Sequence, residues 1–166
     1  NDYAQYQSGI IQGLKNNPKE KTRLLDDLVK RQPTSKYADD ALFDLGETYA
    51  DQNQQALAIA SLNRIIKDYP TSNIYNKTLI HLGLIQYNSG NKQEALRNYK
   101  DVFKRNPSPE ESKEALAAIE EIYVDDLGTP DEYLKFVETV PGYKVTNYSR
   151  DSLNFHVAKR YYEDGQ

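Results

Sequence analysis

The sequence contains no cysteine, no methionine and no tryptophan among its 166 residues. The absence of cysteine excludes a disulfide framework, a thiolate zinc site and a cysteine nucleophile. No apolar run approaches the roughly 18 residues that a membrane-spanning helix requires, and no signal-peptide pattern opens the chain. Because the chain starts at Asn1 and lacks methionine, we expect either a processed form of a protein or a segment of a longer repeat protein. Of the two, we favour the segment.

The charge of the sequence is slightly negative and unevenly distributed. The net charge of −4 argues against nucleic acid as a partner. Residues 108–140 hold 10 acidic and 2 basic side chains, whereas residues 1–107 hold 12 acidic and 15 basic ones. The acidic stretch favours a solvated helix face that keeps the chain soluble, and the alternative is attraction of a basic segment of a partner.

An internal repeat with a period of 37 residues is the strongest signal in the sequence. Five columns of identical or similar residues recur at this spacing in three consecutive units. The columns are Gly9, Gly46 and Gly83; Asn16, Asn53 and Gly90; Leu25, Leu62 and Tyr99; Leu28, Ile65 and Val102; and Pro33, Pro70 and Pro107. Such agreement is hard to obtain by chance, so the repeat is real.

Each unit of the repeat predicts two helices joined by a tight turn. In the second unit, two runs of apolar residues at helical spacing lie on either side of Asn53. Asparagine and glycine tolerate the positive φ that a tight turn between antiparallel helices requires. Gly46 and Ala58 are small, which predicts that the two helices cross closely at these residues. Pro70 is predicted to end the second helix, and Thr71 or Ser72 to cap the next one.

These residues resemble the tetratricopeptide repeat. The resemblance is carried by Leu42, Leu45, Gly46 and Tyr49, followed by Ala58, Leu62, Ile65 and Pro70. The sequence Tyr69-Pro70-Thr71-Ser72 is similar to the variant found in bacterial envelope proteins of the outer-membrane assembly lipoprotein and TolA-binding cell-division coordinator type. The resemblance implies an all-α fold, a right-handed superhelix of antiparallel helix pairs, and a periplasmic or outer-membrane-associated location. One departure from the family pattern is Lys21, which replaces the small alanine of the second helix.

We predict a single repeat domain over residues 1–166. Its units are residues 1–34, 35–71, 72–108 and a degenerate fourth unit, 109–142, in which Glu120 replaces the glycine and Pro141 comes three residues early. Residues 149–166 resemble a partial last repeat or a capping helix.

The resemblance also implies which side chains line the concave groove formed by the first helices of the units. In the register of the repeat, these are Tyr6, Ile10, Phe43, Glu47, Asp51, Ile80, Leu84, Tyr87, Asn88, Ala117, Glu121, Asp125, Phe155, Lys159 and Tyr162. Exposed apolar and aromatic side chains in a concavity favour a protein or peptide partner. The alternative is that Ile80, Leu84 and Tyr87 are buried against a neighbouring helix and bind nothing. The acidic and apolar residues at the clamp positions argue against recognition of a C-terminal carboxylate.

The sequence gives no catalytic, cofactor or metal site. His81 and His156 are the only histidines, they fall two units apart, and neither belongs to a triad pattern. The glycines form no phosphate-binding loop. We therefore predict a non-catalytic interaction module that binds a partner helix or extended segment along Phe43, Ile80, Leu84 and Tyr87. Two alternatives remain: a structural spacer of a longer repeat protein, and self-association through the unfinished end near Val157, Tyr161 and Tyr162.

Overall fold

The protein is an all-α protein over residues 1–163, which a computed structural model describes apart from the side chain of Tyr148. This part of the chain contains nine α-helices and no strand. They are α1 (Asp2–Leu14), α2 (Pro18–Arg31), α3 (Ala38–Asp51), α4 (Gln55–Asp68), α5 (Tyr75–Asn88), α6 (Lys92–Asp101), α7 (Pro109–Glu120), α8 (Pro130–Val137) and α9 (Asn147–Glu163). The predicted all-α repeat fold is confirmed. Within this range no helix is both long and apolar enough to cross a membrane.

The turns inside the helix pairs recur with the period of the sequence. Asn16 and Asn53 adopt positive φ values of 55° and 58° between α1 and α2 and between α3 and α4, and Gly90 adopts 81° after α5. Each residue donates its backbone N–H to the carbonyl oxygen three residues earlier. The prediction that these positions need a residue tolerant of positive φ is confirmed.

The antiparallel helices of the first two pairs cross at a glycine. A Cβ atom added to Gly9 would lie 2.6 Å from Cδ2 of Leu25, and one added to Gly46 would lie 2.7 Å from Cδ2 of Leu62. Ala58 is buried beside Gly46, with its carbonyl oxygen 3.5 Å from that added Cβ. The predicted close approach of the helices at Gly46 and Ala58 is therefore confirmed.

A serine at the start of the second and of the third repeat is hydrogen-bonded to the repeat before it. The Ser35 hydroxyl donates to Asp2 at 2.7 Å, and the Ser72 hydroxyl donates to Asp39 at 2.6 Å. The prediction that Thr71 or Ser72 caps the following helix is wrong: α5 begins at Tyr75, and its N-cap residue is Ile74. Ser72 instead accepts the backbone N–H of Ile74 at 3.2 Å, which forms a turn before the helix.

The chain divides into two compact units, Asn1–Asn91 and Lys92–Gln166. The core of the first unit joins apolar side chains from α2, α3, α4 and α5. Its buried members are Leu25, Leu28, Val29, Ala41, Leu42, Phe43, Leu45, Leu62, Ile65 and Leu82. Since these four helices contribute to one cluster, the first unit is stabilised mainly by burial of apolar surface.

The second unit departs from the regular helix pair. After α6 comes a 3₁₀ turn, Val102–Arg105, and Ser108 then forms a capping box with Glu111 at the start of α7. A π-helical segment, Glu121–Asp126, follows α7 directly, and the N–H of Leu127 donates to the carbonyl of Ile122 at 3.0 Å. A small core forms from Leu116, Val137 and Val140, with Phe103, Tyr133, Phe136 and Val145 packed against it.

Candidate partner-binding surfaces

The predicted groove residues divide between the two units. Those on α1, α3 and α5 lie in the first unit, and the others lie in the second. In the second unit, α7 carries Ala117, the π-helical segment carries Glu121 and Asp125, and α9 carries Phe155, Lys159 and Tyr162. Each unit therefore presents its own set of candidate side chains.

A cleft of about 470 Å³ opens between α3 and α5 in the first unit. From α3 it is lined by Glu47 and Asp51, and from α5 by Leu84 and Asn88. We call it the α3–α5 cleft. The remaining lining residues are Lys21, Thr48, Ala50, Leu62, His81 and Ile85. Leu84 is the large apolar side chain most open to solvent here, with 48% of its surface exposed.

Two of the predicted groove residues are covered by the protein itself. Phe43 and Ile80 expose only 6% and 4% of their surfaces, so they offer a partner little area. The Phe43 ring meets the His81 ring edge-on at a centroid distance of 4.7 Å, and the Lys77 ammonium lies 4.3 Å from the Phe43 centroid. Tyr87 is half-buried.

The aromatic residue predicted from α1 is held by contacts inside the first unit. Tyr6 stacks on Tyr37 with ring centroids 5.4 Å apart, and its hydroxyl donates to Asp44 at 3.0 Å. Burial, reinforced by the Asp44 carboxylate, raises the pKa of Tyr6 above its usual value. Ile10, one helical turn further along, is half-buried.

Helix α3 makes the α3–α5 cleft acidic. The helix carries no basic residue, and of its acidic residues Asp39, Asp40, Asp44, Glu47 and Asp51, the last two line the cleft. Lys21 pairs with Asp44 at 3.1 Å, and His81 Nδ1 lies 3.8 Å from Glu47. Burial, with the neighbouring Asp39 and Asp44, raises the pKa of Asp40. A cleft with this charge repels a peptide carboxylate, which agrees with the absence of clamp residues from the sequence.

The predicted groove residues of the second unit include one aspartate that contacts another helix and two exposed aromatic residues. Asp125 lies 2.9 Å from Nε2 of His156 and also pairs with Arg160, so its contacts are with α9 of the same unit. Phe155 and Tyr162 on α9 are 71% and 88% exposed. Their spacing of seven residues, with Lys159 between them, puts all three on one face of the helix.

Sequence reasoning missed a second cleft, of about 400 Å³, in the second unit. Phe103, Phe136, Thr139 and Pro141 line it together with residues of α6. Helix α6 contributes Arg97, Lys100 and Asp101, and the 3₁₀ turn that follows it contributes Lys104. We call this the Lys100 cleft. The spacing of these four residues places them on one helical face, and this pattern is visible in the sequence.

No metal site accompanies these surfaces: residues 1–163 contain no cluster of three or more histidine, aspartate or glutamate side chains arranged to hold an ion.

Tandem helix pairs, glycine crossings and a regular turn residue define an α-helical repeat protein. The tetratricopeptide repeat family matches residues 40–72 and 77–109, and these two segments are tetratricopeptide repeats. The predicted membership of this family is thereby confirmed for them. No curated protein matches the chain significantly. Tetratricopeptide repeats generally mediate protein–protein interactions and scaffolding, and the family is typically non-catalytic.

Proposed function

We propose that the protein is a non-catalytic interaction module whose α3–α5 cleft binds a helix or an extended segment of a protein partner. The observation that carries the proposal is the exposure of Leu84 inside the cleft, next to Glu47, Asp51 and Asn88. An apolar side chain within a concavity that has a polar rim is typical of a peptide anchor site. The two tetratricopeptide repeats support a protein as the partner.

The test is selection of binders from a displayed library of random peptides, followed by measurement of their affinity for variants of the chain. We expect Leu84→Glu to weaken the selected peptides by about tenfold or more, because it places a charge where an apolar anchor docks next to two carboxylates. Fluorescence anisotropy with labelled peptides measures the loss, and circular dichroism checks that helicity is unchanged.

The matched control is Leu57→Glu. Leu57 is 49% exposed, nearly the same as Leu84, but it lies on α4 and does not line the cleft. Peptides that bind both variants equally well occupy another surface. If the library gives no binder at all, the structural spacer becomes the better description of this protein.

We further propose that the protein works in a bacterial envelope, in the periplasm or at the outer membrane. The support is the resemblance of Tyr69-Pro70-Thr71-Ser72, and of the similar Pro33-Thr34-Ser35, to the envelope variant of the repeat. Cell fractionation followed by immunoblotting tests this location, and a signal confined to the cytosolic fraction contradicts it.

Self-association through α9 is a second candidate function, favoured by the exposed aromatic face of that helix. Among the described side chains of α9, Phe155 and Tyr162 are the most exposed aromatic ones, while Val157 on the same helix is buried. Two such faces brought together remove aromatic surface from water, which is the usual source of interface energy.

If α9 drives association, the mass measured by sedimentation velocity rises with concentration, and Tyr162→Glu raises the dissociation constant by about tenfold. Tyr143→Glu is the control, because Tyr143 is 43% exposed in the same unit but lies outside α9. A constant monomer mass at all concentrations removes this candidate, and equal effects of the two variants place the contact elsewhere.

A further inference from the structure

The Lys100 cleft combines an aromatic floor with a cationic rim. The rings of Phe103 and Phe136 meet edge-to-face with centroids 5.6 Å apart. Both rings are only half-buried, and Pro141 and Thr139 close the cleft on the α8 side. With a volume of about 400 Å³, the cleft has room for one large apolar side chain and the adjoining backbone.

Lys100 is the cation that the structure positions at this cleft. Its ammonium donates to the Tyr123 hydroxyl at 2.6 Å and lies 5.2 Å from the centroid of Phe136. Both contacts are with neutral groups, and the charge of Lys100 also acts on Glu132, whose pKa is lowered first by Lys135 and to a smaller extent by Lys100. Its charge is held in a fixed place and is available to an incoming anion.

The other two cations of the rim, Arg97 and Lys104, form weak pairs with residues close to them in the sequence. Arg97 pairs with Glu94, and Lys104 pairs with Asp101 at 2.6 Å, each three residues away. The cationic side chains of both pairs are mostly exposed. Exposed pairs of this kind are weak, so a partner carboxylate can compete for either cation.

The surroundings of the cleft add selectivity. Residues 108–140 carry 10 acidic and 2 basic side chains, so an acidic partner is repelled from most of this stretch. At the Lys100 cleft the local charge is positive, because the lining contains three cations, Arg97, Lys100 and Lys104, and one carboxylate, Asp101. A short acidic segment is therefore directed to this place, whereas a long polyanion that extends along residues 108–140 meets repulsion there.

From this geometry we propose that the Lys100 cleft is a second binding site, which takes an acidic segment of a protein partner bearing an aromatic or aliphatic anchor. The anchor packs on Phe103 and Phe136, and flanking carboxylates pair with Lys100 and Arg97. This site is separate from the α3–α5 cleft and has the opposite preference for charge, so it does not depend on the function proposed above.

The experiment uses three short labelled peptides, each acetylated and amidated, with the full chain. The first carries one Phe and one Leu four residues apart among Glu and Asp residues. The second has Lys in place of every acidic residue, and the third has Ser in place of Phe and Leu. We expect the first to bind at least about tenfold more tightly than either other peptide, and its affinity to fall as salt is raised.

Two variants locate the binding site, and two controls test whether the loss of affinity is specific to the cleft. Lys100→Glu and Thr139→Glu each weaken the first peptide by about tenfold or more, since each adds negative charge to the rim. Thr139 is exposed, so its variant leaves the fold intact should Lys100→Glu disturb Tyr123. Lys113→Glu, an equal charge reversal at an exposed residue of α7 outside the cleft, and Leu57→Glu on α4 in the first unit leave the affinity unchanged.

Four results overturn the proposal. One is equal or tighter binding of the lysine peptide. Another is a loss of affinity in Lys113→Glu as large as that in Lys100→Glu and Thr139→Glu. The third is no measurable binding of the acidic peptide. The fourth is full displacement of the bound acidic peptide by a short single-stranded DNA, which would show that the cleft attracts anions without recognising a protein anchor.

Discussion

Replacing Gly46 with valine is expected to lower the free energy of unfolding by about 3 kcal/mol, because the helix crossing has no space for the side chain. An added Cβ would already lie 2.7 Å from both Cγ and Cδ2 of Leu62. Leu62 is fully buried in the core of the first unit, so it has no free volume into which to move. Urea titration followed by far-ultraviolet circular dichroism measures the change.

A double-mutant cycle with Leu62→Ala tests this steric cause. Alone, Leu62→Ala should cost about 2–5 kcal/mol through lost burial and the cavity that remains. In combination, the valine at position 46 occupies part of that cavity, so the double variant should be more stable than the sum of the two changes predicts, by about 1–3 kcal/mol. Ala56→Val, at an exposed position of α4, controls for adding a β-branched residue to a helix. Strict additivity of the two core changes would contradict the steric explanation.

The second large effect is a loss of stability in alkaline solution. Burial, with smaller contributions from Glu114 and Glu121, raises the pKa of Tyr99 to about 12. The unfolded chain releases this proton near pH 10. Below pH 10 both the folded and the unfolded chain keep the proton, so Tyr99 does not reduce the free energy of unfolding. Between pH 10 and about 12 the unfolded state holds fewer protons, so the free energy of unfolding falls by roughly 1 kcal/mol per pH unit.

Thermal unfolding at a series of pH values, together with the absorbance of tyrosinate, measures this loss. Tyr99→Phe should flatten the decline above pH 10, because the group that ionises on unfolding is gone. Tyr162→Phe serves as the control, because Tyr162 is 88% exposed. Burial also raises the pKa values of Tyr6 and Tyr133, so part of the decline should persist in Tyr99→Phe. A Tyr99→Phe profile identical to that of the unchanged chain would contradict the assignment.

Much of the helix-pair architecture follows from the sequence, because it depends on local requirements. A turn with positive φ selects Asn or Gly, and Asn16, Asn53 and Gly90 occupy such turns. A close helix crossing selects a residue without a side chain, which explains Gly9 and Gly46. These requirements are met by single residues and recur with the period of the repeat.

The candidate sites were harder to predict, because exposure depends on which helix covers a given face. The repeat register assigns Phe43, Ile80 and Leu84 to the groove alike, yet the first two are buried and the third is half exposed. Lys21, a departure from the family pattern, pairs with Asp44 on the neighbouring helix α3, a partner that spacing along α2 does not reveal. The Lys100 cleft needs α6 and α8 together, and only the folded chain brings Phe103 next to Phe136.

The π-helical segment Glu121–Asp126 has a consequence for how this chain is aligned with related sequences. In this segment the N–H of Leu127 donates to the carbonyl of Ile122, five residues earlier, whereas an α-helix uses the carbonyl four residues earlier. The difference is equivalent to one residue inserted into the helix. Each insertion turns the chain that follows by about 100°, so the apolar period is interrupted here without an added loop. An alignment of the fourth unit to the regular repeat should therefore place a gap within residues 121–126, and residues before and after this gap should be compared in separate registers.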